Sequence, residues 1–595
     1  RESSFEVYSE MGYNVFMKIV LTTLNSKYIH SNLALRYLKA YCCMDYPDIP
    51  ILEFTINDRY ERIIADLVTQ NPDLLCFSCY IWNIRQTLDI IGSIKKILPD
   101  CRILLGGPEV SYDGEKWMAG YSFLDYIIVG EGEEAFRRFL DCLAGKRDLS
   151  RVKGLIWRNP EQKIVFNGAC SPISLDSVPF AYSDGFQGLS DKIIYYETSR
   201  GCPFHCQYCL SSVTGQVRFL SMERIKRELS FFVHSGVKQV KFVDRTFNCN
   251  PARAREIFRY IIELGGNTNC HMEMAGDLID DETLELLSRA PVGLFQFEIG
   301  IQSTREATLK AIRRKTDLSR IKRAVSGILQ MDNIHVHLDL IAGLPEEDII
   351  SMAHSINEVM DLRPHRLQLG FLKLLRGSGL RKAAKQFRYR YTEYPPYEVL
   401  GNYVLSFGDL LRLKRIEELL ELYYNSHRFD RMDYLILQTG GDSFRVLDDM
   451  AEYWQRKGYF HYSHSNIRLY EILLQYAGTL EFIDRELFRE LLRFDYVRHE
   501  KPNQYPVGLK PVMDKDLTGR IHSYLRQDEN IEKVLPDFKG QPPKRILKTI
   551  HIEVFQHRLD RNGEDAMRKE QTAVLFDYRH PKGALHKADF LRIEI

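Results

Sequence analysis

The sequence predicts an α/β protein made of two successive strand–helix series and a mostly helical C-terminal region. Short apolar runs alternate with helical patterns between residues 17 and 148, and again between residues 191 and 385. From residue 386 to residue 595 the pattern changes to long amphipathic segments. Alternation of strands and helices predicts parallel sheets. We therefore expect a doubly wound Rossmann-like domain, then a partial (β/α)6 barrel, then a mostly helical domain.

The size and composition indicate a multidomain protein without a bulk electrostatic binding surface. The chain has 595 residues, more than one hydrophobic core accommodates. Its 81 Lys and Arg residues and 80 Asp and Glu residues give a net charge of +1, so no strongly basic field is available for nucleic acid. No apolar run reaches the roughly 18 residues of a membrane span. Neither nucleic acid nor a membrane is indicated as a partner.

The N-terminus and the cysteines bear on the cellular setting. Residues 1–16 lack both an initiator Met and the layout of a signal peptide, whereas Met17 opens the first strand pattern. We interpret residues 1–16 as an upstream extension or an artefact. Twelve cysteines in a chain of this length are too sparse for a disulfide scaffold. We therefore expect a cytoplasmic protein whose clustered cysteines do metal or redox work.

The first series contains strand patterns that are followed by loops rich in Gly, Ser, Asn and aromatic residues. The strand patterns are KIVLTTLN, PILEFTIN, DLLCFSCYI, RILLGGPEV and LDYIIVGEG. Ligands of open parallel sheets bind beyond the carboxyl ends of the strands. The loops LNSKYIHSN, SCYIWN, LGGPEVSY and VGEGEE are therefore expected to form a ligand site. Cys76 and Cys79 lie within an apolar strand, where we expect both thiols to be packed in the core.

The second series follows a β linker predicted at residues 149–190, which contains GLIWRNPEQKIVFNG. Its strand patterns are KIIYYETSRG, VKQVKFVDR, CHMEMAG, LFQFEIGIQ, HVHLDLIAGLP and RLQLGFLKLL. Six such units predict a partial barrel with its site at the carboxyl ends of the strands. In the C-terminal region, ILKTIHIEVFQHRL predicts a strand. The segment YRYRYTEYPPYE (388–399) predicts a solvated amphipathic edge, with stacking on bases or on a corrin as the alternative.

Three cysteines at the end of the first barrel strand carry the strongest chemical signal. GCPFHCQYC places Cys202, Cys206 and Cys209 at x3 and x2 spacing. Three thiolates on one short loop can ligate three irons of a [4Fe–4S] cluster and leave the fourth iron open. Structural zinc is the alternative, but such sites normally have four protein ligands and no fourth Cys or His follows at finger spacing. We expect His205, inside the loop, to point to solvent or to pack locally.

This motif resembles the signature of the radical S-adenosylmethionine superfamily, in which an aromatic residue precedes the third cysteine. The resemblance continues through VKFVDRTFN, HMEMAG, EIGIQS and DLIAGLP. It implies reductive cleavage of S-adenosylmethionine at the cluster to a 5′-deoxyadenosyl radical. The residues that it implies for S-adenosylmethionine binding are Tyr208, Asp244, Glu273, Glu298, Gln302, Arg314 and Asp339.

Within that set, the resemblance implies that Arg314 pairs with the methionine carboxylate, because a planar guanidinium suits this task. It also implies that Asp339 reaches the ribose hydroxyls. The sequence departs from the family where Val243, Asp244 and Arg245 replace paired glycines and a glutamate. The alternative for each polar residue at a strand end is a structural cap or a salt-bridge partner.

The first series resembles the cobalamin-binding domain that precedes the radical core in one branch of this superfamily. The resemblance rests on SCYIWN (78–83), LGGPEV (105–110) and VGEGEEAF (129–136). The contacts it implies are Asn25, Ser78, Tyr80, Gly106, Gly107, Gly130 and Glu131. The Asp-x-His-x-x-Gly motif of cobalamin mutases is absent, so we expect base-off cobalamin without a lower His ligand. A substrate- or nucleotide-binding Rossmann-like module is the alternative.

Together these features predict a cobalamin-dependent radical enzyme that works anaerobically and methylates an unactivated centre of an unknown substrate. A rearrangement, cyclisation or oxidation without methyl transfer is the alternative. A non-enzymatic cobalamin- or redox-responsive binding protein is a third hypothesis. An electron donor such as flavodoxin or ferredoxin is the expected partner. The C-terminal region resembles an uncharacterised domain found after the radical core in some cobalamin-type enzymes, and this resemblance implies no activity.

Overall fold

The computed structural model describes residues 5–8, 14–213, 216–511, 516–559, 568–582, 585 and 587–595. Near the N-terminus, strand β1 (Phe5–Tyr8) pairs antiparallel with β2 (Asn14–Met17). The rest of the predicted extension lies outside the described residues. Two parallel sheets follow in succession, and a helical region with a small antiparallel sheet ends the chain. The predicted fold class is confirmed.

A seven-stranded sheet forms the core of the N-terminal region. Its strands are β3 (Ile19–Asn25), β4 (Ile51–Thr55), β5 (Leu74–Ser78), β6 (Arg102–Gly106), β7 (Tyr126–Ile128), β8 (Leu155–Arg158) and β9 (Ile164–Phe166), in the order β4-β3-β5-β6-β7-β8-β9. The pairs from β4 to β7 are parallel, and β8 and β9 continue the sheet antiparallel. The helices are α1 (Leu33–Cys42), α2 (Tyr60–Thr69), α3 (Ile84–Ile97), α4 (Gly114–Gly120) and α5 (Glu133–Leu143).

The strand order of this sheet changes direction at β3, which lies between β4 and β5. The loops that follow β3 and β5 therefore open a crevice at the carboxyl edge of the sheet, where doubly wound proteins bind ligands. These loops are the predicted ligand loops LNSKYIHSN and SCYIWN. At the other edge, the predicted linker contributes β8 and β9 to this same sheet. The sequence pattern did not show this pairing because periodicity predicts that the two strands exist but not which strand they pair with.

A six-stranded parallel sheet forms the second domain, with its strands adjacent in chain order. They are β10 (Ile194–Tyr196), β13 (Gln239–Phe242), β14 (Asn269–Met274), β15 (Phe295–Gln302), β16 (His335–Ala342) and β17 (Arg366–Phe371). Between β10 and β13, a short antiparallel hairpin of β11 (Ser199–Arg200) and β12 (Arg218–Phe219) carries the cysteine segment. The helices are α6 (Met222–His234), α7 (Pro251–Leu264), α8 (Asp281–Leu287), α9 (Glu306–Ala311), α10 (Leu318–Met331) and α11 (Ile349–Met360).

The two faces of the barrel sheet differ in polarity. On β16, Val336, Leu338 and Leu340 are fully buried in the core, while His337 and Asp339 alternate with them on the other face. This period of two is the expected pattern of a strand with one face toward the helices. The second face is the interior of the partial barrel, and it is polar.

The C-terminal region is mostly helical, as predicted. Its helices are α12 (Gly379–Lys382), α13 (Phe407–Leu419), α14 (Asp433–Gln438), α15 (Ser443–Lys457), α16 (Asn466–Ala477), α17 (Arg485–His499), α18 (Leu517–Tyr524), α19 (Asp528–Val534) and α20 (Pro543–Ile546). A π-helical turn, Leu420–Tyr424, extends α13. The strands are β18 (Arg390–Tyr391), β19 (Val399–Gly401), β20 (Ile550–His557), β21 (Lys569–Lys582) and β22 (Lys587–Ile593). The predicted strand is β20, whereas its partners β21 and β22 were not predicted.

The segment 388–399 is an amphipathic edge as predicted, with Arg388, Arg390 and Tyr394 exposed, but its buried side makes contacts that were not predicted. The Tyr389 hydroxyl is buried and donates to the Gly343 carbonyl at 2.9 Å. Tyr397 is fully buried, accepts a hydrogen bond from Arg376 at 2.6 Å and donates to Glu109 of the N-terminal domain. The segment thus bridges the barrel and the first sheet. Its alternation of Tyr and Arg did not reveal this because both partners lie far away in the sequence.

Side-chain and backbone hydrogen bonds attach the C-terminal region to the barrel edge. Arg366 of β17 pairs with Glu421 at 2.6 Å, and the Tyr424 hydroxyl donates to the Pro364 carbonyl at 2.6 Å. These contacts place the π-helical turn against the start of β17. None of the helices in the described part of the chain combines the length and apolarity needed to cross a membrane.

Phe494→Ala should unfold the C-terminal region at a lower temperature. Phe494 of α17 is fully buried and its ring lies 5.1–5.7 Å from those of Phe555, Phe576 and Phe590. Removing such a ring leaves a cavity and costs about 3–5 kcal/mol. Differential scanning calorimetry should show a lower midpoint, whereas Phe482→Ala, at a half-exposed position, serves as the control. Equal midpoints for the two variants would contradict this packing.

Candidate cluster and cofactor site

Asp244, at the end of β13, fixes the strand that leads into the cysteines. Its carboxylate accepts the Thr198 amide at 2.8 Å, the Thr198 hydroxyl at 2.6 Å and the Ser199 hydroxyl at 2.5 Å. The residue is fully buried. Because Asp244 exposes no surface and its oxygens are already bonded, the prediction that it contacts S-adenosylmethionine is corrected. Asp244 supports the cysteine loop instead.

The three cysteines lie on the loop that starts at β11, beside the carboxyl ends of the barrel strands. Cys202 and Cys206 are buried, and Cys209 is partly exposed. The Cys202 thiol lies 3.6 Å from the Thr246 hydroxyl, and the Cys206 thiol lies 3.9 Å from the Arg314 guanidinium. The described residues include no group of three or more His, Cys, Asp and Glu side chains arranged for a single metal ion. Of the three thiols, that of Cys206 thus lies beside Arg314 at the barrel mouth.

Residues predicted to bind S-adenosylmethionine are brought together around this loop. Arg314 donates to the Tyr208 hydroxyl at 3.1 Å and to the Gly300 carbonyl. Arg314 Nε, Gln302 Oε1 and Asp339 Oδ1 are buried without a hydrogen-bond partner in the described structure. An unsatisfied buried polar atom costs about 1–3 kcal/mol, so a group of them beside one loop fits a site completed by a polar ligand. This is the observation on which the fit of S-adenosylmethionine rests.

The carboxylates of the barrel interior differ in ionisation. Burial raises the pKa of Asp339 well above its usual range, and Glu298 adds to the effect. Burial also raises the pKa of Glu273, which the nearby Arg245 guanidinium opposes. A hydrogen bond from His271 and the charge of Lys241 outweigh burial at Glu298 and lower its pKa to about 2.

Glu298 is therefore an ionised, paired group, with His271 at 3.1 Å and Lys241 at 3.3 Å. Asp339 has one carboxylate oxygen without a partner, and a hydroxyl donor would satisfy it. The roles of Glu273, Glu298 and Asp339 toward S-adenosylmethionine remain predictions.

Glycines at the carboxyl ends of β6 and β7 form the predicted cobalamin loops. Gly130 has φ +83°, and a Cβ placed there would meet nothing within 4 Å. A Cβ on Gly106 would touch only the Ile128 carbonyl, at 4.0 Å. Gly107 differs, because its Cβ would lie 2.6 Å from the Cys79 carbonyl oxygen, so the neighbouring loop already requires glycine there. The open space at Gly106 and Gly130 fits a bulky ligand.

The other predicted cobalamin residues lie on the loops after β3 and β5. Asn25 donates from Nδ2 to the His30 carbonyl and to Glu53, both at 3.1 Å. The Tyr80 ring stacks on Trp82 with centroids 4.4 Å apart, and Ser78 precedes them at the end of β5. These residues surround the crevice, and their contacts with cobalamin remain predictions.

Glu131 lies between the two domains. Its carboxylate accepts from the guanidinium groups of Arg218 and of Arg200, the latter at 3.2 Å. Both arginines belong to the hairpin of the cysteine loop. Glu131 thereby joins the two domains, and its contact with cobalamin remains a prediction.

Several residues at the site were missed by the sequence reasoning. Arg200 directly precedes the cysteine motif, and Arg218 follows it, but neither belongs to the motif itself. Trp82 lies within SCYIWN, and its side chain is nearly half exposed beside Tyr80. The acidic residues in VGEGEE and the arginine before GCPFHC could have suggested an ion pair between these two segments. That prediction would have required knowing that the two loops lie next to each other.

Comparison with known families agrees with this arrangement. Residues 19–140 match the B12 binding domain, residues 196–359 match the radical SAM superfamily, and residues 385–576 match a domain of unknown function, DUF4080. The chain thus contains a radical SAM domain preceded by a B12-binding domain. The cysteine loop lies within the radical SAM match, and the open glycines lie within the B12-binding match. The predicted cofactor classes and the radical SAM type of enzyme are thereby supported.

Known relatives of this radical SAM protein match only parts of its length. A 2-(S-pantetheinyl)-carbapenam-3-carboxylate methyltransferase of Streptantibioticus cattleyicolor is 27% identical over 312 residues, 50% of this chain and 46% of the relative. An anaerobic magnesium-protoporphyrin IX monomethyl ester cyclase of Synechocystis sp. is 29% identical over 259 residues, 40% of this chain and 50% of the relative. The chain thus spans about half the length of these curated relatives.

A solved structure supports the fold over a longer stretch. The cobalamin-dependent S-adenosylmethionine radical enzyme OxsB, with aqua-cobalamin and S-adenosylmethionine bound, superimposes with a TM-score of 0.58 at 14% identity. The match covers 82% of each chain. At this identity the likeness establishes the shared fold.

Gly130→Leu should weaken cobalamin binding without unfolding the domain. A side chain at Gly130 enters the open space where the ligand is expected. Gly145→Leu is the matched control, because Gly145 has φ +75° and equally open surroundings but follows α5. Both variants carry the same backbone penalty of about 1–2 kcal/mol. Titration with hydroxocobalamin, followed by absorbance, should show at least a tenfold loss of affinity for Gly130→Leu alone.

Arg314→Ala should weaken S-adenosylmethionine binding while the cluster is retained. A charge-assisted hydrogen bond contributes about 1.5–3 kcal/mol, so the dissociation constant should rise about 10- to 100-fold. Equilibrium dialysis with labelled S-adenosylmethionine and iron analysis measure the two quantities. Arg313→Ala, at the exposed neighbouring arginine, is the control. Unchanged affinity in Arg314→Ala would contradict the proposed role.

Proposed function

We propose that this protein is a cobalamin-dependent radical S-adenosylmethionine enzyme that methylates an unactivated centre of its substrate. One observation carries the proposal. The cysteine loop meets the unsatisfied atoms of Arg314, Gln302 and Asp339 at the barrel mouth, and the B12-binding domain is attached beside that mouth. Two ligand sites within one chain are what methyl transfer between two cofactors requires.

The side chains at the mouth bind and orient rather than react. When bound, the cluster supplies the electron that cleaves S-adenosylmethionine, and cobalamin supplies the carrier for the methyl group. Arg314 provides a planar fork for the methionine carboxylate. Asp339 accepts from the ribose hydroxyls through the oxygen that has no partner in the described protein. Cys202, Cys206 and Cys209 would hold the cluster, and the burial of the first two keeps water away from their thiols.

The lower side of the cobalamin is proposed to lack a histidine ligand. His30 is the histidine of the loop after β3, and its Nδ1 lies 2.7 Å from the Tyr195 hydroxyl. Burial lowers the pKa of His30, with nearby lysines as further causes. The contact holds the Nδ1 side of the imidazole on the barrel. The proposal of base-off binding without a histidine below the cobalt is supported by the absence of an Asp-x-His-x-x-Gly motif from the sequence.

Methyl transfer is favoured by the carbapenam-carboxylate relative, which is a methyltransferase and matches 50% of this chain. The second candidate is a cyclisation or another oxidation without methyl transfer. It is favoured by the cyclase of Synechocystis sp., which matches with 29% identity. In both cases an electron donor such as flavodoxin or ferredoxin is the proposed partner, because reductive cleavage consumes an electron.

Anaerobic reconstitution tests the radical chemistry. With dithionite and S-adenosylmethionine, the wild-type protein should release 5′-deoxyadenosine, and Cys206→Ala should not, because one of three cluster ligands is lost. Chromatography with mass detection measures the nucleoside. Cys270→Ala, at a buried cysteine remote from the loop, is the control. If a wild-type protein with confirmed cluster and cobalamin releases no 5′-deoxyadenosine, the radical proposal fails.

Isotope labelling separates the two reactions. S-adenosylmethionine with a deuterated methyl group is added to a metabolite extract of cells that make the protein, together with the reconstituted enzyme. Methyl transfer predicts a product in which a CD3 group replaces one hydrogen atom, and this product is absent with Cys206→Ala. An unlabelled product of unchanged or hydrogen-depleted mass would instead establish the second candidate.

A further inference from the structure

The cysteine loop is closed at its base by a pair of arginines. In the β11–β12 hairpin, Arg200 lies opposite Arg218, so the segment with the three cysteines begins and ends at one point. Gly201 has φ +106°, and a Cβ there would lie 2.1 Å from the Gln216 carbonyl oxygen. The two chain ends therefore approach as closely as backbone allows. Whatever positions Arg200 and Arg218 also positions the base of the loop.

Glu131 of the N-terminal domain binds both arginines. Arg218 donates to both of its carboxylate oxygens through two guanidinium nitrogens, and Arg200 Nη1 lies 3.2 Å from Oε2. We call these three residues the Glu131 clamp. Glu131 directly follows Gly130, so the clamp starts within the loop that is proposed to hold cobalamin.

The surroundings make the clamp geometrically specific. The side chains of Arg200 and Arg218 are each 19% exposed and that of Glu131 is 23% exposed, so water screens the charges only in part. Arg200 also binds Glu133, the first residue of α5, and Glu197, each at 2.8 Å. A guanidinium in a bidentate pair fixes direction as well as distance. A shift of the loop after β7 is thereby transmitted to the hairpin below the cysteines.

We propose that the Glu131 clamp couples the two cofactor sites, so that ligand binding at the Gly130 loop and S-adenosylmethionine binding at the cysteine loop change each other's affinity. The inference rests on the proposed function, which places cobalamin and the cluster at these two loops. In this proposal Glu131 is a positioning residue that acts through Arg200 and Arg218. A ligand that immobilises the Gly130 loop also immobilises the hairpin through the clamp. The second ligand then binds with a smaller loss of conformational entropy.

Thermodynamic linkage makes the proposal quantitative. If cobalamin tightens S-adenosylmethionine binding by a given factor, S-adenosylmethionine must tighten cobalamin binding by the same factor. Coupling between two sites in one protein is typically on the order of tenfold. A clamp that only holds the domains together would affect stability but leave each affinity independent of the other ligand.

The experiment measures both affinities in both states. Using the full chain with its reconstituted cluster, the dissociation constant of S-adenosylmethionine is measured with and without saturating hydroxocobalamin, and that of hydroxocobalamin with and without S-adenosylmethionine. For each ligand, the affinity ratio is its dissociation constant without the other ligand divided by its dissociation constant with that ligand. In the wild type, both ratios should be about ten and equal. In Glu131→Gln, both should fall to about one, because the amide cannot hold two guanidinium groups. Iron content and the electron paramagnetic resonance spectrum of the reduced cluster report whether the loop is intact.

Glu134→Gln is the matched control. Glu134 lies three residues further along, is exposed, and pairs with Arg138 of its own helix, outside the clamp. It should keep the wild-type ratios. Where Glu131→Gln does not retain the cluster, Arg218→Lys takes its place, because lysine keeps the charge without the bidentate geometry. Its ratios should also fall to about one.

The outcomes separate this inference from the proposed function. A wild-type protein that binds both ligands with affinity ratios of one would overturn the coupling while leaving the proposed function intact. If Glu131→Gln kept the affinity ratios of the wild type, the role of the clamp in the coupling would be overturned and the proposed function would again stand. A wild-type protein that binds no hydroxocobalamin, or that releases no 5′-deoxyadenosine, would count against the proposed function itself.

Discussion

The buried carboxylate of Asp244 is the constraint on which the site depends. It sits at the end of β13 and accepts three hydrogen bonds from Thr198 and Ser199, the residues that lead from β10 into the cysteine hairpin. Arg253 of α7 adds a bond to the Thr198 carbonyl at 2.9 Å. Such a carboxylate is stable in a core only when its oxygens are bonded. The strand end is thereby held in one direction, toward the barrel mouth, where the Cys206 thiol lies beside Arg314.

The polar interior of the barrel extends from this mouth. Lys241, His271 and Glu298 form a bonded group, and Gln296 lies 3.1 Å from His337 on the neighbouring strand. Burial lowers the pKa of His337 to about 3, so this imidazole is neutral at neutral pH. Lys241 and Glu298 thus form an ion pair inside the barrel. Near the mouth, buried polar atoms of Gln302, Arg314 and Asp339 have no hydrogen-bond partner among the described residues, and a polar ligand there would satisfy them.

Much of the fold could be predicted from the sequence, because buried parallel strands and amphipathic helices have distinct periods. The strands from β3 to β7 and the six barrel strands follow this rule. Periodicity could not show which strands pair with each other. Strands β8 and β9 join the first sheet, and β21 and β22 join β20, through partners chosen by tertiary contacts.

The same division applies to the site. The cysteines and Arg314 could be predicted because their chemistry depends on local spacing and residue type. Asp244 and Glu131 were predicted as ligand contacts because they lie beside such residues in the sequence. The structure shows that each carboxylate is bonded by groups of another segment: Thr198 and Ser199 for the first, Arg200 and Arg218 for the second. A polar residue next to a motif can bind a ligand or can form a bond within the protein, and only its spatial neighbours distinguish the two roles.

The contacts between the first two domains are the physical basis of the proposed coupling between the ligand sites. Loops at the carboxyl edge of the first sheet reach the barrel at several points: His30 meets Tyr195, Glu109 meets Tyr397 and Arg376, and Glu131 meets the cysteine hairpin. These are the same loops that border the crevice of the B12-binding domain. A ligand in that crevice would therefore lie beside segments that are already bonded to the radical SAM domain. Because these bonds hold the loops to the barrel, a displacement of a loop would be carried to the mouth where S-adenosylmethionine is expected.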